Sequence, residues 1–281
     1  MLNTDVLLSP WLLALLGLLI GSFLNVVVHR LPLMLERQWR IDSAQTLDMK
    51  IDEPPRITLA SPPSRCPSCA HRIAWYENVP VLSYLWLRGR CSACKTTIPL
   101  RYPAIEIATA VLFALVAWRT GPQPAALAWC AFVAVLVALA AIDWDTTLLP
   151  DSLTLALLWG GLIASAAGLT VPLPAAVWGA VVGYLSLWAV YWLFKLTTGK
   201  EGMGYGDFKL LAALGAWLGL SMVLPVILAA SVIGAVVGIG MKLQQSLREG
   251  RYVPFGPFLA GAGVAVFLIG PAPILDWLGW A

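Results

Sequence analysis

The stretch SLTLALLWGGLIASAAGLTVPLPAAVWGAVVGYLSLWAVYWLF, residues Ser152–Phe194, holds no Asp, Glu, Lys or Arg. A helix that crosses a bilayer needs about 20 mostly apolar residues. The stretch is too long for one such helix, and the turn-forming Gly168-Leu-Thr-Val-Pro-Leu-Pro174 divides it into two. Its reading sets the fold class as a helical bundle built in a membrane. Composition agrees: 59% of the 281 residues are hydrophobic and 12% charged, whereas soluble domains carry about 25% charged residues. The net charge of +3 is too small to point to nucleic acid as a partner.

Working outward, the chain alternates apolar runs with polar connections. Val6–Val28 is apolar and preceded only by Asp5, with Arg30 after it. A cleavable signal peptide has the reverse pattern, a basic start and a shorter apolar run, so this is a retained first helix with its N-terminus outside. It is expected to end near His29-Arg30-Leu31-Pro32, before a polar segment that reaches Tyr102. Further helices are expected over Pro103–Trp118 and Ala125–Ile142, with Thr120-Gly-Pro-Gln-Pro124 as the turn between them. Pro150-Asp151-Ser152 begins the next, with Asp or Ser as its cap. The two helices of the opening stretch follow, then a glycine-rich loop over Thr197–Gly206. Tyr252–Leu275 is the last helix.

Leu210–Met241 is uncharged, long for one span and short for two. Cytoplasmic loops carry the excess of Lys and Arg. Two short helices meeting near Gly219-Leu-Ser221 return Lys242, Arg248 and Arg251 to the cytoplasm. Of the 18 Lys and Arg, only Arg119 is then left outside. The expected architecture is an all-α polytopic membrane bundle of about eight transmembrane helices. Residues 1–29 form the first helix, 30–102 a cytoplasmic loop region and 103–281 the remaining bundle. Asp143, ending the third helix, and Asp207, opening the sixth, fall on the same cytoplasmic face.

The polar region contains Cys66-Pro-Ser-Cys69 and Cys91-Ser-Ala-Cys94. Two Cys-x-x-Cys pairs about 20 residues apart have the spacing of a closed, structural four-thiolate Zn²⁺ site. A redox pair or unrelated cysteines are the alternatives, and a reducing cytoplasm disfavours disulfides. The site would staple a loop too small to hold itself together. Cys130 lies in an apolar run and reads as an ordinary buried residue.

Asp143 sits in Ile142-Asp-Trp-Asp-Thr-Thr-Leu-Leu-Pro-Asp151 and Asp207 in Gly204-Tyr-Gly-Asp-Phe-Lys209. Ionisable residues near membrane depth are rare and usually functional. Two carboxylates brought close cannot both ionise easily. One keeps a proton, leaving an acid and a base to activate water, which is aspartic peptidase chemistry. The glycines before Asp207 let the backbone bend and a substrate approach. Asp145 is either a supporting residue or merely solvated, and Asp151 reads as the helix cap. The chain has no His-Glu-x-x-His and no Gly-x-Ser-x-Gly. His29 and His71 read as surface or interfacial residues. A proton-coupled transporter and a zinc-loop assembly scaffold are the competing classes. No internal repeat of the transporter kind is visible.

Together these motifs resemble the bifunctional prepilin peptidases, the type IV prepilin leader peptidases and N-methyltransferases, over nearly the whole chain. The resemblance includes Gly21-Ser-Phe-Leu-Asn-Val-Val-Val-His-Arg-Leu-Pro32, both cysteine pairs, and Trp75-Tyr-Glu-Asn-Val-Pro-Val-Leu-Ser-Tyr84 with Leu87-Arg-Gly-Arg-Cys91 between them. It continues through Arg101-Tyr-Pro-Ala-Ile-Glu106 and the two aspartate motifs, in the family's order. It implies a multi-pass enzyme of the bacterial inner membrane, in contact with membrane lipid. Such an enzyme cuts the basic leader of prepilins and type II secretion pseudopilins after a glycine, on the cytoplasmic side. It then methylates the new N-terminus with S-adenosylmethionine. Asp143 and Asp207 become the catalytic pair, and Cys66, Cys69, Cys91 and Cys94 the metal ligands. For the methyl donor the resemblance suggests Glu77, Asn78 and Gly89. Loop stability and a turn explain those three equally well. No Gly-x-Gly-x-x-Gly after a strand marks a nucleotide fold.

Overall fold

In lipid every backbone N–H and C=O must be satisfied within its own segment, so apolar runs become helices. The computed structural model describes residues 4–50, 55–244 and 253–280. Its helices are α1 (Thr4–Leu7), α2 (Pro10–Thr46), α3 (Leu82–Trp86), α4 (Arg101–Thr120), α5 (Ala125–Thr146), α6 (Asp151–Ala166), α7 (Leu173–Thr198), α8 (Tyr205–Leu218), α9 (Val223–Leu243), α10 (Gly256–Ile269) and α11 (Pro271–Leu278). Among the described residues there are no strands beyond two isolated bridges, Arg65 with Arg72 and Arg90 with Thr97. The protein is an all-helical membrane bundle carrying a four-cysteine loop. Five helices are long and apolar enough to span, and α10 with α11, bent by 100°, is a sixth candidate. α6 is a shorter apolar helix. Large apolar side chains such as Leu193, Leu228 and Val236 face outward, as a lipid solvent allows.

The first helix does not stop at Pro32. α2 continues to Thr46 with Pro32 inside it. Beyond the proline, Leu33-Met-Leu-Glu-Arg-Gln-Trp-Arg40 is rich in good helix formers. Arg40 pairs with Glu36 at 2.5 Å, and the Gln38 amide donates to Asp42 at 2.7 Å, one turn apart. A 37-residue helix is about 55 Å long, so α2 outruns a bilayer core of about 30 Å.

The last span also departs from expectation. It breaks at Gly270 (φ +88°), where Arg119 lies against the bare Cα and Pro271 opens α11. Its expected first residue, Tyr252, lies outside the described residues, as do Arg248 and Arg251. The expected break after Leu218 is present: Gly219 has φ +85°, which favours glycine, and α9 begins at Val223.

The chain divides into two compact units, residues 1–118 and 119–281. In the first, α2 and α4 cross at backbone contact. A Cβ on Gly17 would lie 2.7 Å from the Ala110 Cα, and one on Gly21 2.7 Å from that of Glu106. In the second, α8 is the central element, buried at every residue from Asp207 to Leu218 apart from the partly open Lys209. α7 meets α8 at backbone distance, where a Cβ on Gly179 would strike the Gly215 carbonyl. α6 is tied to α8 by the Trp217 indole N–H, which donates to the Leu157 carbonyl at 2.8 Å.

Candidate active site and cysteine loop

α5 and α8 share one register. Near the start of α5, Trp129 and Phe132 pack on Trp217 at the end of α8, with ring centroids 5.3 and 5.0 Å apart. Asp143, fourteen residues beyond Trp129, is about 21 Å up α5; Asp207, ten before Trp217, is about 15 Å along α8. Both aspartates therefore lie at the other end of the unit. Leu149 packs between their neighbours: a Cβ on Gly206 would lie 2.8 Å from it, and one on Gly256 3.1 Å.

Both carboxyl groups are enclosed, Asp143 4% exposed and Asp207 8%. Asp143 Oδ2 accepts the N–H of Gly256 at 3.0 Å, from the first residue of α10. Asp207 stands in the first turn of α8, its N–H donating to the Gly204 carbonyl at 3.2 Å. Asp207 Oδ1 is buried and meets no hydrogen-bond partner among the described residues. Such an atom carries a desolvation cost that native proteins rarely accept outside functional positions.

The loop before Asp207 is held from α7. The Lys195 ammonium donates to Glu201 at 2.8 Å and to the Tyr191 hydroxyl at 3.2 Å, and that hydroxyl donates to Glu201 at 3.2 Å. The Tyr191 ring packs on Tyr205 and Phe208, which bracket Asp207, at 5.3 and 5.7 Å.

In the other unit the two cysteine pairs are conformational copies. Cys66 N–H donates to the His71 carbonyl and Cys91 N–H to that of Thr96, each at 2.9 Å. Ala70 and Lys95, four residues after the first cysteine of each pair, donate back to its carbonyl. Both have left-handed φ, +59° and +62°. The four sulfurs lie within 4.8 Å of one another, with Cys66–Cys94 at 3.7 Å and Cys69–Cys91 at 4.0 Å. A tetrahedron of thiolates about 2.3 Å from zinc has edges of about 3.8 Å, so the donor set fits that ion. These separations are far beyond a disulfide of about 2.05 Å.

Two family profiles match. One, described as the bacterial peptidase A24 N-terminal domain, covers residues 15–120. The other, the type IV leader peptidase family, covers residues 130–239. The chain is 55% identical over 255 residues to the prepilin leader peptidase/N-methyltransferase of Pseudomonas putida, covering 91% of this chain and 88% of that one. Proteins of the same name from Stutzerimonas stutzeri (51% identical; 95% and 92% covered) and Aeromonas hydrophila (52%; 95% and 94%) are similar to it over nearly their whole length. The chain belongs to the type IV leader peptidase family. It is an enzyme with peptidase and N-methyltransferase activities. No solved structure matches it.

The leader peptidase profile contains both aspartates, and the N-terminal profile contains the cysteines, Glu77, Asn78 and Gly89. The structure gives Glu77 and Gly89 work inside the loop. Glu77 accepts the Ser92 hydroxyl of the second pair and the Ala74 N–H at 2.8 Å, and lies 3.2 Å from His71 Nε2 beyond the first pair. The Ser92 hydroxyl foremost, then the Ala74 N–H, holds its carboxyl below the usual range. Gly89 has φ +65°, and a Cβ there would meet the Tyr84 hydroxyl at 2.7 Å. Asn78 is exposed. Glu77 and Gly89 are thus engaged within the loop, and Asn78 is the member of the three that faces outward.

Asp151 is not the cap of α6. Pro150 takes the cap position, and the Asp151 carboxylate receives the Lys209 ammonium of α8 at 2.6 and 2.8 Å. The pair ties the connection after Asp143 to the turn after Asp207. Gly256 was not legible as a site residue. Val253-Pro-Phe-Gly-Pro257 announces only a helix start, and its partner Asp143 is 113 residues away.

Proposed function

We propose that the protein cleaves the basic leader from prepilins and pseudopilins after a glycine, with Asp143 and Asp207 activating the water. The observation that carries this reading is the buried, unpartnered Asp207 Oδ1 at the end of the bundle it shares with Asp143. One carboxylate takes a proton from water as the oxygen attacks the peptide carbonyl carbon. The other carboxyl gives its proton to the carbonyl oxygen. Collapse of the tetrahedral centre then breaks the C–N bond, and the amine leaves with a proton. The bare Gly204, where an added Cβ would meet nothing closer than Asp207 Oδ2 at 3.9 Å, would leave room for an extended peptide beside Asp207.

The second activity is methylation of the amine that cleavage exposes, and S-adenosylmethionine would supply the methyl group. We assign it to the cysteine loop, with Asn78 as the outward-facing member of the Glu77, Asn78 and Gly89 set. Zinc at Cys66, Cys69, Cys91 and Cys94 would hold that loop. The enzyme would sit in the bacterial inner membrane with both aspartates toward the cytoplasm. The positive-inside distribution of Lys and Arg favours this, and a basic leader obeys the same rule.

Asp143→Asn and Asp207→Asn are each expected to lower cleavage by at least about 10³-fold. Mass spectrometry of a prepilin incubated with enzyme and S-adenosylmethionine reads cleavage and methylation together. Wild-type cleavage by either variant removes it from the catalytic pair. A transporter or scaffold would leave the prepilin uncut in every case.

A further inference from the structure

Helix α3 stands in an unusual place. Val81, immediately before it, has φ +59° and ψ −46°, a conformation that β-branched residues avoid. Its N–H donates to Glu106 Oε2 at 2.8 Å. Glu106 is buried in α4, a candidate span, five residues past its start at Arg101. The start of α3 is thereby pinned beside the first turns of a candidate membrane span, about 8 Å from where that helix begins.

The short helix has two unlike faces. Ser83 and Tyr84 turn back into the loop: the Ser83 hydroxyl donates to the Val79 carbonyl at 2.8 Å, and the Tyr84 hydroxyl to that of Ile98 at 3.3 Å. Leu82, Leu85 and Trp86 share the other face and are 66%, 64% and 81% exposed. Trp75, 83% exposed, and the exposed cations Arg88, Arg90 and Arg101 lie close along the chain. Tryptophan beside arginine is the composition of membrane–water interfaces, the ring in the headgroup layer and the guanidinium on phosphate.

We infer that α3 is an interfacial foot: Leu82, Leu85 and Trp86 seat in the lipid of the protein's own membrane, with Arg88 and Arg90 on anionic headgroups. The Val81–Glu106 hydrogen bond sets its depth, and the cysteine loop is thereby held against the bilayer surface. Five residues are too few to fold on the membrane alone, so the covalent and hydrogen-bonded anchorage supplies what length does not.

The test uses the full chain in nanodiscs of equal parts phosphatidylethanolamine and phosphatidylglycerol, with p-benzoylphenylalanine at Leu85, at Trp86 or, as control, at the exposed Lys95 of the second knuckle. All three are surface positions, so folding is not at stake. On illumination, positions 85 and 86 are expected to form phospholipid adducts about tenfold more efficiently than position 95. A lipid yield no higher than the control overturns the inference. So does predominant crosslinking to a second copy of the chain, or to a prepilin added to the discs.

Discussion

At the residue scale, the contact between Gly256 and Asp143 leaves no space for a side chain. A Cβ at Gly256 would stand 2.5 Å from Asp143 Oδ2 and 3.1 Å from Leu149. Neither neighbour can yield without moving the carboxylate or the leucine packed between the two aspartate segments. Gly256→Ala is therefore expected to lower peptidase turnover by about 10²-fold, since a displacement near 1 Å suffices for that. The melting temperature would fall only by the few degrees of ordinary overpacking. Turnover assays and thermal unfolding of the purified protein separate the two. Gly261→Ala, with nothing within 4 Å of its added carbon, should change neither. The two aspartates were legible because acidic residues at the ends of apolar runs stand out. Gly256 and the Asp151–Lys209 pair were not, because nothing local marks a partner in a distant helix.

At the element scale, the cysteine loop is a pair of knuckles whose backbone hydrogen bonds already repeat one another. Spacing alone identified it, because Cys-x-x-Cys closes a knuckle within a single turn. What spacing did not disclose is the brace formed by Glu77, which reaches Ala74, Ser92 and His71. Stripping metal with a strong chelator, or Cys69→Ser, is expected to speed amide exchange at Cys66 and Cys91 by at least about 10²-fold. Exchange in the α8 core should be unaffected. Hydrogen exchange with mass readout, alongside metal analysis, checks both. Retained protection after complete metal loss would mean that Glu77 and the bridges hold the loop unaided. The long α2 shows the opposite case: Pro32 reads locally as a stop, yet the helix formers beyond it and an apolar surrounding carry the helix through.

For the molecule as a whole, the order of apolar runs was legible in the chain because charges are confined to their ends. The lengths were not. α8, with 14 residues, is only about 21 Å long, short of a bilayer core of about 30 Å. Protein encloses it on all sides, so it need not match the lipid thickness. Five helices and one bent pair qualify as spans, and the expected count of eight would place Ser221 outside the cytoplasm and Lys200 inside. A reporter active only outside the cytoplasm is expected to signal after Ser221 and stay silent after Lys200. Silence at both positions would reduce α8 and α9 to one folded-back element and move Lys242 to the other face.

The hydrogen bond from Gly256 to Asp143 has a consequence for biogenesis. The ribosome must deliver 113 further residues after Asp143 before that partner exists. Asp207 by then is already made. A nascent chain thus carries both acidic residues through the insertion machinery without the N–H that orients one of them. With Asp143 in the catalytic role proposed above, synthesis order itself would delay a competent protease until α10 has docked.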